Sequence, residues 1–130
     1  MISENLKKLI AKLPLPYKAV AIKICFEKPD CEHFDGKKAA FCTYVNYAQT
    51  SGKKFYITKE DDECYGKLAM GMIDPPPVTA SGQAGYDFGC YASPTPVRNL
   101  YQKLPIIEPK TVNFVEFSPI DICDFDPDLI

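Results

Sequence analysis

The residues with the most chemistry to offer lie in and around one stretch, Phe41 to Met72, which contains Cys42, Cys64 and the acidic run Glu60-Asp61-Asp62-Glu63. Both cysteines fall where a helix is expected to begin. The partial positive charge of a helix N-terminus favours a thiolate, so Cys42 in the first turns of its helix is a candidate nucleophile or metal ligand. Cys64 follows the acidic run directly, and neighbouring carboxylates oppose an anionic sulfur unless a cation or a metal offsets them. Metal ligation is therefore the favoured chemistry at Cys64 over unassisted nucleophilic catalysis. Cys90 is a third candidate ligand. Thiolates suit zinc or an iron–sulfur cluster, and either usually takes four ligands, so Cys25, Cys123 or another subunit would have to complete the set. Arg98 is the candidate cation for a bound cofactor or substrate carboxylate, or for neutralising Asp61 or Glu63.

Each of these residues also has a plainer reading. Free cysteine is among the most buried residue types, and packing alone accounts for an isolated buried thiol. His33, the single histidine, lies in the polar loop 27–37, where solvent exposure is expected over a role as base or ligand. No C-x-x-C pair occurs, which removes the usual zinc-ribbon and thioredoxin signatures, and Cys31-Glu32-His33 has no matching second half.

The elements that must position these groups alternate along the chain. Ser3 is placed to cap a first helix with Leu6, Leu9, Ile10 and Leu13 on one face, ended by Pro14 and Pro16. The run 19–26 predicts a strand with Val20, Ile22, Ile24 and Phe26 on one face, and small residues beside Lys23 on a second, covered face. A helix is expected over 38–50, stopped at Gly52, then a short strand at Phe55–Ile57. Thr58 and Asp61 resemble a capping box opening a turn or helix across 59–63, and a small-residue helix is expected from Cys64 to Met72. Asp74-Pro-Pro-Pro77 stops it, and residues 80–91 read as a glycine-containing strand or loop. Ser93-Pro94 starts a helix through Leu104, and 111–117 reads as a second clear strand. Pro127–Ile130 looks like the start of a strand whose edge a partner chain would pair.

Composition bounds the rest. The 130 residues are 46% hydrophobic and 25% charged, within the range of a globular domain. A net charge of −2 and a pI near 5.4 argue against a broad nucleic-acid surface. The mixed charges of the first residues are unlike a signal peptide, and no apolar run is long enough to span a membrane, so a cytoplasmic protein with reduced thiols is expected.

The ordered set of Pro16 with Ala19-Val-Ala-Ile-Lys23, Phe41-Cys42, Gly52 with Phe55-Tyr-Ile-Thr58, Glu60-Asp61, Cys64, Gly71, Tyr91-Ala-Ser-Pro94 with Arg98, and Pro127-Asp128 resembles the DUF169 family of archaea and bacteria. The resemblance runs from about Pro14 to Ile130. It implies the fold and the pair Cys42/Cys64, and no particular reaction. Members commonly carry Pro-Gly-Gly after the second cysteine, where this chain has Tyr65-Gly66-Lys67, and continue past Pro127-Asp128 into a further strand and helical segment that this chain is expected to lack.

The expected architecture is a single α/β (or α+β) domain over residues 1–130, a small mixed β-sheet with three to four packed helices. Three functions are consistent with it. The first is a metal or iron–sulfur protein using Cys42, Cys64 and Cys90. The second is an interaction module with buried cysteines that forms a homo-oligomer through its C-terminal edge. The third is a thiol-dependent enzyme acting on a small molecule near Arg98.

Overall fold

The computed structural model describes residues 4–130. Ser3, expected to cap the first helix, lies outside the described residues. Helix α1 (Glu4–Lys12) leads to strand β1 (Val20–Cys25), helix α2 (Phe41–Ser51) and strand β2 (Phe55–Ile57). Three short helical segments follow, α3 (Gly66–Ala69), α4 (Pro77–Ala80) and α5 (Gln83–Asp87), then α6 (Pro94–Tyr101) and strand β3 (Phe114–Pro119). The α/β class is as expected. Within the sheet, both neighbours of the central strand run antiparallel to it, in the order β1-β3-β2.

Alternation explains the core. Ile22, Phe117 and Phe55 meet in register across the three strands, as do Ile24, Val115 and Ile57, so one face of the sheet is continuous hydrocarbon. Helix α2 covers it with Tyr44 and Ala48, both fully buried, while Phe34, Met72 and Val112 close the sides. Phe55 and Phe117 stack with ring centroids 5.3 Å apart. Gly52 ends α2 in the left-handed conformation, φ 68°, with its N–H on the Ala48 carbonyl, as its position predicted.

The second face of β1 is covered too, as its small residues implied: Ala21 and Cys123 pack with Leu6, Ile120 and Phe125. Phe26, by contrast, lies beyond the strand and is exposed. Both sheet edges are dressed by loops. Tyr56 N–H donates to the Glu32 carbonyl and Phe34 N–H to the Tyr56 carbonyl on the β2 side. On the β1 side Ile22 N–H donates to the Leu129 carbonyl at 2.9 Å, and the Asp128 carboxylate accepts the Ile24 N–H at 2.8 Å. The expected strand start at Pro127–Ile130 is thus a single antiparallel bridge, Ile22 with Leu129, and Asp128 takes up the next edge donor.

Four local expectations change. The helix expected over Cys64–Met72 is one turn, Gly66–Ala69, capped by Met70 and ended where Gly71 adopts φ 73°. Residues 80–91 hold no strand: the end of α4 and the short helix α5 lie there, joined and followed by turns. Pro77 opens α4, and Gly82 (φ 82°) lets α5 approach α6 so closely that a Cβ there would sit 2.1 Å from the Pro94 carbonyl oxygen. Ser93 holds an extended cap conformation before Pro94 without a side-chain capping bond. The last strand begins at Phe114 rather than Thr111, since Asn113 is spent bonding Cys25 and Phe26 carbonyls across the edge. Among the described residues, no helix is long and apolar enough to cross a membrane.

Candidate functional site

The acidic run folds as a set of turns, and Asp61 and Asp62 within it have separate partners. Thr58 and Asp61 behave as the capping-box reading suggested, but close a turn rather than a helix. Asp61 Oδ2 accepts the Thr58 N–H at 2.7 Å and the Thr58 hydroxyl at 2.8 Å, and also meets His33 Nε2 at 2.8 Å. Burial works against the Asp61 ion, yet these hydrogen bonds and the neighbouring His33 outweigh it and hold its carboxyl below the usual value. From α2, the Tyr44 hydroxyl donates to the Asp61 carbonyl at 2.6 Å and accepts the Ala39 N–H at 3.0 Å. The buried end of α2 is thereby tied to the turn that precedes Cys64.

Asp62 is the organiser of that turn. It is 1% exposed, and its carboxylate accepts the Cys64 N–H at 2.9 Å and the Lys67 N–H. The Lys67 ammonium reaches back to the Asp62 carbonyl at 2.6 Å. Gly66 completes the arrangement, because a Cβ there would lie 2.5 Å from Phe41 Cβ and 2.7 Å from Asp62 Oδ2. With the loop fixed this way, Cys64 Sγ accepts two backbone N–H groups, from Phe41 at 3.3 Å and from Gly66 at 3.3 Å. Phe41 is the first residue of the eleven-residue α2, so the sulfur sits on a helix N-terminus. Two peptide N–H groups thus face the sulfur, while the Asp62 carboxylate beside it is taken up by the Cys64 and Lys67 N–H groups.

Cys64 opens on one side to a cavity of about 360 Å³ lined also by Lys67, Thr79 and Phe88. Tyr65, Leu68 and Thr79 are shared with a neighbouring cavity of about 370 Å³ that continues to Tyr101, Leu104 and Ile106. Cys42 is exposed in the first turn of α2, and Cys90 is exposed after α5. Burial pushes the Tyr101 phenol up, and Tyr65, Tyr91 and Cys90 add to it. Among the described residues, no group of three or more His, Cys, Asp or Glu side chains is arranged to hold a metal ion. Arg98 is exposed on α6 and lines neither cavity. One of the two carboxylates offered for it, Asp61, faces His33 instead. His33 is half exposed, as the loop reading had it, but is held by Asp61 and lies 5.2 Å from the Tyr56 ring.

The remaining cysteines gather on the far face of the sheet around Glu116, a carboxylate that sequence reading passed over. Glu116 is 6% exposed, with Lys54 at 3.7 Å, and its register partners are Lys23 and Tyr56. Burial pushes its carboxyl up, against Lys54 and a hydrogen bond from Cys31. Cys31 in turn is pushed up to about 12 by burial and by Glu116, and Cys25 and Cys123 are raised by burial first as well. The sequence signals for the two missed organisers were Asp62, two residues before Cys64, and Glu116, a charge inside an apolar strand.

The chain matches the DUF169 family, described as uncharacterised ArCR, over residues 8–130, and it belongs to that family. No curated protein and no solved structure is significantly similar to it.

Proposed function

We propose that this DUF169 protein is a thiol-dependent protein acting on a small molecule, with Cys64 as its nucleophilic or redox sulfur. The observation that supports this is the pair of N–H donors on Cys64 Sγ, one from the start of α2 and one from Gly66, on a loop fixed by a buried carboxylate. Backbone donors at a helix N-terminus are the surroundings in which cysteine sulfur acts as a nucleophile, and they are rigid, so little reorganisation opposes charge forming there. In a step of this kind the sulfur's electron pair makes a bond to an electrophilic centre and the leaving group departs with the displaced pair. The cavity beside Cys64 admits a reactant of small-molecule size. A reducing compartment, the cytoplasm, is the setting this reading requires, because oxidation would compete for the thiol.

The metal reading, with Cys42, Cys64 and Cys90 as ligands, draws on three separate segments that the described residues do not gather into a set. We therefore place it second. Treating the folded protein with a sub-stoichiometric haloacetamide and weighing it intact separates the two. A single adduct that maps to Cys64 and is lost in Cys64→Ser supports the thiol reading. Zinc or iron near one per chain, lost in both Cys42→Ser and Cys64→Ser, would replace it with the metal reading.

A further inference from the structure

The cavity next to Cys64 carries one feature that packing does not account for. Thr79 is 2% exposed, it lines both cavities, and its hydroxyl has no hydrogen-bond partner among the described residues. Its own N–H is already bonded to the Pro76 carbonyl at 2.8 Å, as the first turn of α4 requires. Among the described residues, no side-chain nitrogen or oxygen that is sealed from solvent lacks a partner, so the Thr79 oxygen is reached from the cavity side. Withdrawn from bulk solvent and without a protein partner, the hydroxyl is satisfied from the cavity alone, by water or by a ligand atom that takes the water's place.

The walls around that hydroxyl are uncharged and largely apolar, with the exposed Gln102 the one amide among them. The larger cavity, about 370 Å³, is faced by the rings of Tyr65 and Tyr101 and by Leu68, Leu104 and Ile106, and no charged side chain lines it. Its volume lies at the small end of ligand sites. An ionic group placed there would lose its hydration with no counter-charge to replace it, whereas a flat ring gains contact with both tyrosines. Burial raises the Tyr101 phenol, which stays protonated and uncharged.

We infer that the cavity walled by α3, α4 and the end of α6 binds a neutral, flat, largely apolar molecule bearing one hydrogen-bonding atom, which Thr79 holds. This names the ligand class of the thiol site and rests on the preceding reading for the role of Cys64. Binding itself does not require the sulfur. Tyr65, Leu68 and Thr79, shared by the two cavities, place the bound molecule beside the space onto which Cys64 opens.

The test uses 2-acetylnaphthalene, a neutral bicyclic ring with one carbonyl, and 2-naphthoate, its anionic counterpart, titrated into the full chain. The expected result is saturable binding of the ketone to wild type and to Cys64→Ser alike. Thr79→Val should weaken it about tenfold, the loss of one buried hydrogen bond. Ala80→Trp, a substitution at an exposed cavity-wall position, should abolish it, and the naphthoate should bind at least about tenfold more weakly than the ketone. Equal affinity in Thr79→Val, retained binding in Ala80→Trp, or preference for the anion would overturn the inference. So would a dimer of the wild type that Ala80→Trp dissociates, which would make the cavity an interface between copies. Ketone binding without a fast-reacting Cys64 would sink the thiol reading alone, and a fast-reacting Cys64 with no ketone binding would sink this inference alone.

Discussion

Cys64 and Cys31 are both partly buried and both hydrogen-bonded, yet the groups around them are opposite in kind. Cys64 Sγ receives N–H groups from Phe41 and Gly66. Cys31 faces the buried carboxylate of Glu116, and burial and that charge together keep it a thiol, pushed up to about 12. The two regions also use their acidic residues differently. Asp62 turns its carboxylate onto backbone donors and so shapes the loop, whereas Glu116 projects from mid-strand into a face shared with Cys25, Cys31 and Cys123. Whether a cysteine is chemistry or packing is thus decided by what its neighbours donate, and not by burial alone.

The comparison breaks most severely at Asp62. Asp62→Ala strands the N–H groups of Cys64 and Lys67, and is expected to cost roughly 2–4 kcal/mol in urea denaturation while slowing alkylation of Cys64. An Asp62→Ala protein of wild-type stability would show that the loop does not depend on this carboxylate. Gly66→Ala comes next. Its Cβ meets Phe41 and Asp62, so a loss of about 1–3 kcal/mol is expected, together with loss of the Cys64 rate advantage.

Asp61→Asn probes the anchoring turn through pH. The folded-state value of Asp61 is lowered, so between it and the ordinary value near 3.8 the unfolded chain binds more protons, and stability rises with pH. The variant should therefore be less stable than wild type by about 1 kcal/mol near neutrality. That difference should vanish as pH falls through the folded value, and a gap that persisted in acid would contradict this origin.

Glu116→Gln sharpens the other side by the smallest amount. Removing the charge should speed alkylation of Cys31 a few-fold only, because burial remains the larger cause. The sign of its stability effect is the reverse of Asp61's. The folded value of Glu116 is raised, so the native state binds more protons and the wild type loses stability as pH rises through it. The Gln variant should show less of that fall in pH-dependent denaturation.

Much of this was legible in the chain. Period-two runs marked β1 and β3, and Gly52 marked the end of α2. Cys64 stood out because an acidic run met a thiol there. What the sequence could not show is the direction in which each carboxylate points. Asp62 and Glu63 are adjacent and chemically alike, yet one is buried on two N–H groups and the other is exposed. Nor did spacing reveal that the N–H of Phe41, 23 residues earlier, would reach Cys64 Sγ, since that contact depends on Tyr44 tying α2 to the turn. The strand-or-loop reading of 80–91 missed α5 because Gly82 and Gly85 serve its close packing on α6, a tertiary cause that local propensity does not record.

The most direct measurement is the alkylation rate of each of the six cysteines in the folded protein, resolved by peptide mass spectrometry at neutral pH in wild type and in Asp62→Asn. The expected order places Cys64 first, the exposed Cys42 and Cys90 behind it, and Cys25, Cys31 and Cys123 nearly inert, with the lead of Cys64 reduced in Asp62→Asn. A Cys64 that reacts no faster than Cys42 or Cys90 would contradict the assignment of the reactive sulfur to the start of α2.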